Sequence, residues 1–196
     1  MWNYQLLIIR QISFRFYTMS NLKKAYLAGG CFWCTEAIFS RLKGVIGVLP
    51  GYTGGGVAFP KYKQICLGIT GHAEAVEIVY DKDIVSYTTL LEVFFSTHDP
   101  TTLNQQGNDR GTQYRSAIFC TDEAEVLVAN NYIKKLTSGN IFQNLITTEV
   151  SLLIRFYEAE IEHKDYYDLN SNQPYCNAVI SPKIKKLIEN NQGLLK

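Results

Sequence analysis

From residue 19 onward the apolar and polar positions switch between two periods. Residues 23–29 (KKAYLAG) form a short apolar run of strand length, and Gly29-Gly30 turns the chain into a helix predicted to reach about Leu42. Residues 45–52 read as a second strand, followed by a loop over residues 53–60 that carries Gly54-Gly55-Gly56. Residues 73–80 alternate with period two and predict a third strand, after which Asp81-Lys82-Asp83 turns the chain. Ser86 is placed to cap a helix in which Leu90, Val93, Phe94 and Thr97 recur at helical spacing. Residues 114–119 predict another strand, and Thr121 is expected to cap an acidic-started helix running through Leu136. A late strand over residues 149–156, a helix over residues 159–169 and a Lys-rich polar tail complete the pattern. The order strand, helix, strand, strand, helix, strand predicts an α+β chain. Its core is expected to be ferredoxin-like, two-layered α/β (βαββαβ), with additional C-terminal elements.

Composition narrows the function classes. The 196 residues are 46% hydrophobic and 19% charged, which excludes a disordered or collagen-like chain and supports a core that needs no disulfide staples. Lys and Arg number 19 against 18 Asp and Glu, so the formal net charge of +1 gives no argument for nucleic acid or an anionic membrane as partner. No apolar stretch approaches the roughly 20 residues of a membrane span. A cytoplasmic monomer is the expectation. Residues 1–18 (MWNYQLLIIRQISFRFYT) are apolar and aromatic, with Arg10 and Arg15 and no acidic residue. Either they are an organelle leader or the start has been placed too early and translation begins at Met19; the second reading is the simpler. A single domain is therefore expected over residues 19–196. The five cysteines are too few for a disulfide scaffold, and reduced thiols are the default.

Three clusters carry candidate chemistry. Cys31-Phe32-Trp33-Cys34 lies where a strand turns into a helix, and a thiolate in the first turn of a helix is favoured by its free N–H groups. Such a pair can be a redox couple, half of a zinc site or two buried thiols. Zinc needs a second short-spaced ligand pair, whereas Cys66, Cys120 and Cys176 are scattered and so are His72, His98 and His163. Phe32 and Trp33 fill a core or wall a pocket for a small apolar group. Glu74 shares a strand face with Val76, Ile78 and Tyr80, which would keep its carboxyl protonated near neutrality as a general acid needs. The alternative is a strand-end carboxylate that reaches water. The polar run over residues 108–116 (NDRGTQYRS) either gathers into a site or forms a surface ion pair beside a sheet tyrosine.

Taken together these residues are recognisable. The run GCFWCTE at residues 30–36 resembles the signature of the A-class peptide methionine sulfoxide reductases. GYTGG at 51–55, GHAEAV at 71–76, HDPT at 98–101 and DRGTQYRS at 109–116 resemble that family's further motifs, in its order. The resemblance implies Cys31 as the nucleophile that attacks the sulfoxide sulfur, and Phe32 and Trp33 as the wall that receives the S-methyl group. It implies Glu74 as the acid at the sulfoxide oxygen, assisted by Tyr52 and Tyr114, with Asp109 lining the same site. The implied activity is thiol-dependent reduction of the S epimer of methionine sulfoxide, free or in oxidised proteins, as repair after oxidation. It proceeds through a cysteine sulfenic acid and an intramolecular disulfide that thioredoxin reduces, with no metal or bound cofactor. The chain departs from the family around recycling. Cys34 stands where many members have Gly, and Cys176 lies on a segment stiffened by Pro174 without the usual glycines. Glu162 and Lys164 flank His163 where Tyr and Gln are usual. Residues three apart at a helix start lie side by side, so Cys34 is expected to resolve the sulfenic acid, with Cys176 as the alternative. A thioredoxin-like disulfide oxidoreductase and a non-catalytic zinc module are the rival readings.

Overall fold

The computed structural model describes residues 21–196; the leader or early start expected at residues 1–18 lies outside them. Eight strands are described: β1 (Leu22–Gly29), β2 (Val45–Thr53), β3 (Ala73–Asp81), β4 (Gln105–Gln106), β5 (Asp109–Arg110), β6 (Ser116–Cys120), β7 (Glu149–Leu152) and β8 (Phe156–Glu158). The helices are α1 (Phe32–Phe39), α2 (Tyr62–Cys66), α3 (Tyr87–Thr97), α4 (Glu123–Ser138), α5 (Tyr166–Asn170) and α6 (Ser181–Asn190). Six strands make one mixed sheet in the order β7-β6-β1-β3-β2-β8, and β4 and β5 form a separate small ribbon.

Strand alternation divides the core between the two faces of this sheet. Ala25 and Leu27 of β1 join Val76 and Ile78 of β3 and Ile118 of β6 in a large cluster completed by α1, α3 and α6. Tyr26, Ala28, Ala73, Ala75, Ala117 and Phe119 point the other way, where Leu153 and Phe156 partly cover them. Small residues dominate that second face, Ala28, Ala73, Ala75 and Ala117 among them. Glu77 of β3 shares it, accepting from the Tyr26 hydroxyl at 2.7 Å and pairing with Lys24 at 2.9 Å.

Ser86 caps α3 as expected, its hydroxyl accepting the Thr89 N–H at 3.0 Å. At α4 the cap is Asp122 and not Thr121: the extended backbone of Asp122 brings its carboxylate onto the Glu125 N–H at 2.8 Å. Thr121 instead donates its N–H and hydroxyl to the Glu125 carboxylate. The predicted strand 114–119 begins later, because residues Thr112–Tyr114 wind into a 3₁₀ turn.

The largest corrections concern the C-terminal third. The single late strand predicted over residues 149–156 is two strands on opposite edges of the sheet. β7 runs parallel to β6, and β8 pairs antiparallel with β2 at the far side. A run of apolar residues shows that a segment is strand-like, but not which neighbour each part will find. Gly51 permits the second docking, since a Cβ there would lie 2.4 Å from the Tyr157 carbonyl oxygen. The helix predicted over residues 159–169 is a 3₁₀ turn at Ile161–His163 followed by the short α5. It breaks at Asp165, whose positive φ of 53° lets its N–H reach the buried carboxyl of Glu36 at 2.8 Å. The polar tail is instead a π-turn at Cys176–Ile180 leading into α6. Ile180, Ile184 and Leu187 bury on one side of this segment, while Lys185 and Lys186 are exposed on the other and Lys183 is half-buried between them.

Candidate active site

The predicted nucleophile, acid and aromatic wall meet at one end of the sheet. β1 ends at Gly29, and Gly30 at φ +90° swings the chain into α1. A Cβ on Gly30 would lie 2.6 Å from Gln106, so the turn admits only glycine as it stands. Cys31 then occupies the N-cap of α1, and its carbonyl accepts the N–H of Cys34 at 3.1 Å. Antiparallel pairing of β2 with β3 sets Tyr52 directly opposite Glu74, at the same end of the sheet.

Glu74 is 1% exposed. Its Oε2 accepts the N–H of Phe32 at 3.1 Å, which fixes the carboxyl against the first turn of α1 and leaves Oε1 to carry a proton. Burial pushes the Glu74 carboxyl up to about 8; the Phe32 N–H pulls the other way without offsetting it, and Asp109 and Cys34 add to the rise. The carboxyl is therefore a neutral acid at pH 7, not a strand-end carboxylate reaching water.

Cys31 and Cys34 are both buried, 7% and 2% exposed, and all five thiols are free. Burial pushes the Cys31 thiol well up, and its hydrogen bond to Cys34 and the nearby Glu74 act in the same direction. The same hydrogen bond, with help from Lys183 and Tyr175 and against its own burial, holds Cys34 below the usual thiol range. Together the two sulfurs hold one proton less tightly than two separate buried thiols would.

Aromatic rings close the pocket. Phe32, almost fully buried, packs on Tyr52 (centroids 5.9 Å), Tyr62 (6.2 Å) and His163 (5.2 Å). Trp33 is half-buried and lies flat on Tyr166, 3.7 Å between centroids and 7° between planes, with the edge of Tyr175 at 6.0 Å. Tyr114 is half-buried; burial and the nearby Glu74, Cys31 and Asp109 all raise its phenol, so it stays protonated.

Several contributors carried no signal at the level of sequence. The Tyr175 hydroxyl donates to Asp109 Oδ2 at 2.8 Å and also meets Cys31, linking the expected Asp109 to the thiols. Glu160 receives the Tyr52 hydroxyl at 2.8 Å and the Tyr62 N–H at 3.0 Å. The Tyr52 proton thus points to Glu160, and the oxygen of that phenol is left to accept. Glu36, inside α1, is pushed up to about 7 by burial while holding the Asp165 N–H. Tyr175 and Glu160 belong to no short motif and arrive from the C-terminal segment; Glu36 closes the run at residues 30–36, and its partner Asp165 comes from that segment. Cys176 is fully buried in the same core cluster as Cys34, not carried on a free tail. Cys66 is exposed at the end of α2, and Cys120 is buried beside the Tyr87 hydroxyl. Among the described residues, no three His, Cys, Asp or Glu side chains gather as a metal site.

The chain is similar to known proteins over most of its length. A family model described as peptide methionine sulfoxide reductase matches residues 23–194, a span that holds every site residue named above. The peptide methionine sulfoxide reductase MsrA of Chromobacterium violaceum is 51% identical over 175 residues, covering 89% of this chain and 99% of that protein. Its counterpart from Saccharolobus solfataricus is 49% identical over 168 residues, covering 86% and 94%. Among solved structures, Mxr1 from Saccharomyces cerevisiae in reduced form superposes with a TM-score of 0.73 at 32% identity. It covers 80% of this chain and 90% of its own.

Proposed function

The chain belongs to the peptide methionine sulfoxide reductase family, and on that premise we propose how its own residues carry out thiol-dependent reduction of methionine sulfoxide. The substrate's S-methyl group enters the pocket of Phe32 and Trp33, which excludes water from the sulfur. Protonated Glu74 gives its proton to the sulfoxide oxygen and so makes that oxygen a better leaving group. Tyr114 donates a further hydrogen bond to it. Tyr52, held by Glu160, shapes the pocket beside Phe32, and Asp109 with Tyr175 lines its opposite side. The proton between Cys31 and Cys34 lets the negative charge pass to Cys31 as it attacks the sulfur. An S–S bond forms, the S–O bond breaks with the oxygen leaving as hydroxide, and that hydroxide attacks the Cys31 sulfur. The S–S bond then breaks, methionine leaves, and Cys31 becomes a sulfenic acid.

Recycling uses Cys34. Its sulfur attacks the Cys31 sulfenic acid, an S–S bond replaces the S–O bond, and hydroxide leaves with one proton as water. Overall, two thiols and one sulfoxide become one disulfide, one methionine and one water. An external dithiol, thioredoxin, then reduces the Cys31–Cys34 bond; Cys176, buried in the same cluster, is the alternative resolver or a second stage. The rival reading as a general disulfide oxidoreductase leaves the buried acid Glu74 and the polar run around Tyr114 without a role. The substrates are free methionine sulfoxide and oxidised proteins, in keeping with repair.

The observation that carries this reading is the buried, protonated carboxyl of Glu74 fastened to the N–H of Phe32, the residue after Cys31. The test is NADPH consumption with thioredoxin, thioredoxin reductase and a methionine sulfoxide substrate. Turnover of the S epimer is expected, and insulin disulfide reduction without sulfoxide turnover would overturn it. We further propose a single cytoplasmic, monomeric domain over residues 19–196 around a ferredoxin-like core of β1, α1, β2, β3, α3 and β6. No helix among the described residues is long and apolar enough to cross a membrane.

A further inference from the structure

One charged side chain near the thiols has no part in the chemistry above. Lys183 is the third residue of α6, half-buried, and helix α6 is anchored by Ile184 and Leu187 in the core around α1. Cys34 and Lys183 line one small cavity of about 10 Å³, room for at most one water, whose other walls include Gly29, Phe94, Thr97 and His98. His98 cannot supply charge there. Its Nδ1 lies 2.6 Å from Phe94 O of the preceding helix, its Nε2 meets Ser116 Oγ (2.8 Å), and burial presses it down to about 4. Since an uncharged imidazole donates through one nitrogen only, and Phe94 O can only accept, the proton sits on Nδ1 and Nε2 accepts from Ser116. Lys183 is thus the cation of this cavity.

We propose that Lys183 is a positioning residue for the resolving step, its ammonium supporting negative charge on Cys34 as Cys34 attacks the Cys31 sulfenic acid. The inference rests on the reading of Cys34 as resolver. In that step the Cys34 S–H bond breaks, the S–S bond forms, and the hydroxyl of Cys31 leaves with the released proton as water. A thiolate in a dry pocket is costly without a counter-charge, and one fixed cation facing the sulfur lowers that cost. The other groups facing Cys34 divide as follows. Cys31 donates a hydrogen bond to it and the Tyr175 hydroxyl lies beside it, both favouring its thiolate, whereas Asp109 opposes it. Glu74 is neutral up to about pH 8, and Cys176 carries a thiol that its surroundings keep protonated. Lys183 is accordingly the full positive charge among them, and its influence on Cys34 is attractive.

The experiment follows single turnovers of the reduced enzyme with one equivalent of methionine sulfoxide, quenched at intervals across a range of pH. Methionine release and Cys31–Cys34 disulfide formation are measured separately. Lys183→Met should shift the pH midpoint of disulfide formation upward by about one unit, slowing that step about tenfold at pH 7. Lys183→Arg should restore it to within about twofold. Lys183→Gln, which keeps a polar head at a half-exposed position, is measured beside Lys183→Met, and one methionine released per site shows that each variant is folded. A midpoint unchanged in both neutral variants, with the Cys31–Cys34 bond still mapped, overturns the role of Lys183 alone. A Cys31–Cys176 bond in the wild type overturns it together with the assignment of Cys34.

Discussion

Cys31, Phe32, Tyr52 and Glu74 stand on the ends of β1, β2 and β3 and on the first turn of α1, so strand pairing alone brings them together. Tyr175, Cys176 and Lys183 reach the same thiols on a segment that first crosses the sheet from β7 to β8 and then folds back over α1. The first group forms the reducing half of the site and the second surrounds its recycling half. The two are held by different forces. Register in a sheet with one large buried face is strongly specified, because a slip by one residue would turn Glu74 outward and Glu77 inward. The returning segment is held by a few specific contacts: the Asp165 N–H on Glu36, the Trp33–Tyr166 stack, the Tyr175 hydroxyl on Asp109 and the burial of Ile180, Ile184 and Leu187. Substitutions in the reducing half should therefore strike chemistry, and those in the returning segment should strike recycling first.

Cys31→Ser gives the largest effect. A serine alkoxide is not accessible near neutral pH, so no methionine should form even in a single turnover; appreciable turnover would end the assignment. Glu74→Gln should come next. Loss of one positioned acid costs about 10²- to 10⁴-fold, and Gln keeps a hydrogen-bond donor, so a reduction of about 10²-fold in single-turnover rate is expected. A rate within a factor of two of wild type would make Glu74 a bystander.

The same carboxyl sets a pH dependence. Its folded value of about 8 lies above its ordinary 4.5, so the acid form prevails at neutral pH and is lost as pH rises through 8. The reducing step should fall along that limb, and Glu74→Gln should remove the limb. Stability runs the same way. The contribution of Glu74 is full below about 4.5 and is lost as pH climbs toward 8, because the unfolded chain ionises first. Urea titrations at pH 5 and pH 8 would show the smaller loss in Glu74→Gln.

These effects also separate what was legible in the sequence from what was not. Period-two alternation in residues 73–80 placed Glu74 on the apolar face, and the Gly29-Gly30 turn placed Cys31 at a helix start, because both depend on neighbours in the chain. The roles of Asp109 and Tyr114 came only with the family resemblance. Asp122 displaced Thr121 as a cap through one side chain's reach, a difference of one position that local propensity does not resolve. Residues 149–156 split between two edges, and residues 176–187 became a buried turn and helix, because their partners are not neighbours in the chain: β7 pairs with β6 across the whole of α4, and β8 pairs with β2 from the first third of the chain. The Lys-rich composition of α6 described its solvent face and concealed the other. Tyr175 and Glu160 escaped notice for the same reason: nothing adjacent in sequence shows that a tyrosine will meet Asp109 or a glutamate Tyr52.

Tyr175→Phe tests the seam between the halves with a smaller change. It removes the hydroxyl shared by Asp109 and the thiols while keeping the edge contact with Trp33. Disulfide formation should slow about tenfold, the worth of one hydrogen bond to a charged group, while methionine release changes less. Equal losses in both steps would show that the residue serves the pocket as a whole.

The separation of reduction from recycling is tested most directly by Cys34→Ala in a quenched single turnover, followed by steady-state assay with thioredoxin. One methionine per site should still be released, more slowly because Cys31 loses the sulfur that shares its proton, leaving a persistent sulfenic acid on Cys31 that dimedone labels, and further turnover should stall. Sustained thioredoxin-dependent cycling by Cys34→Ala, with a Cys31–Cys176 disulfide on peptide mapping, would contradict the account.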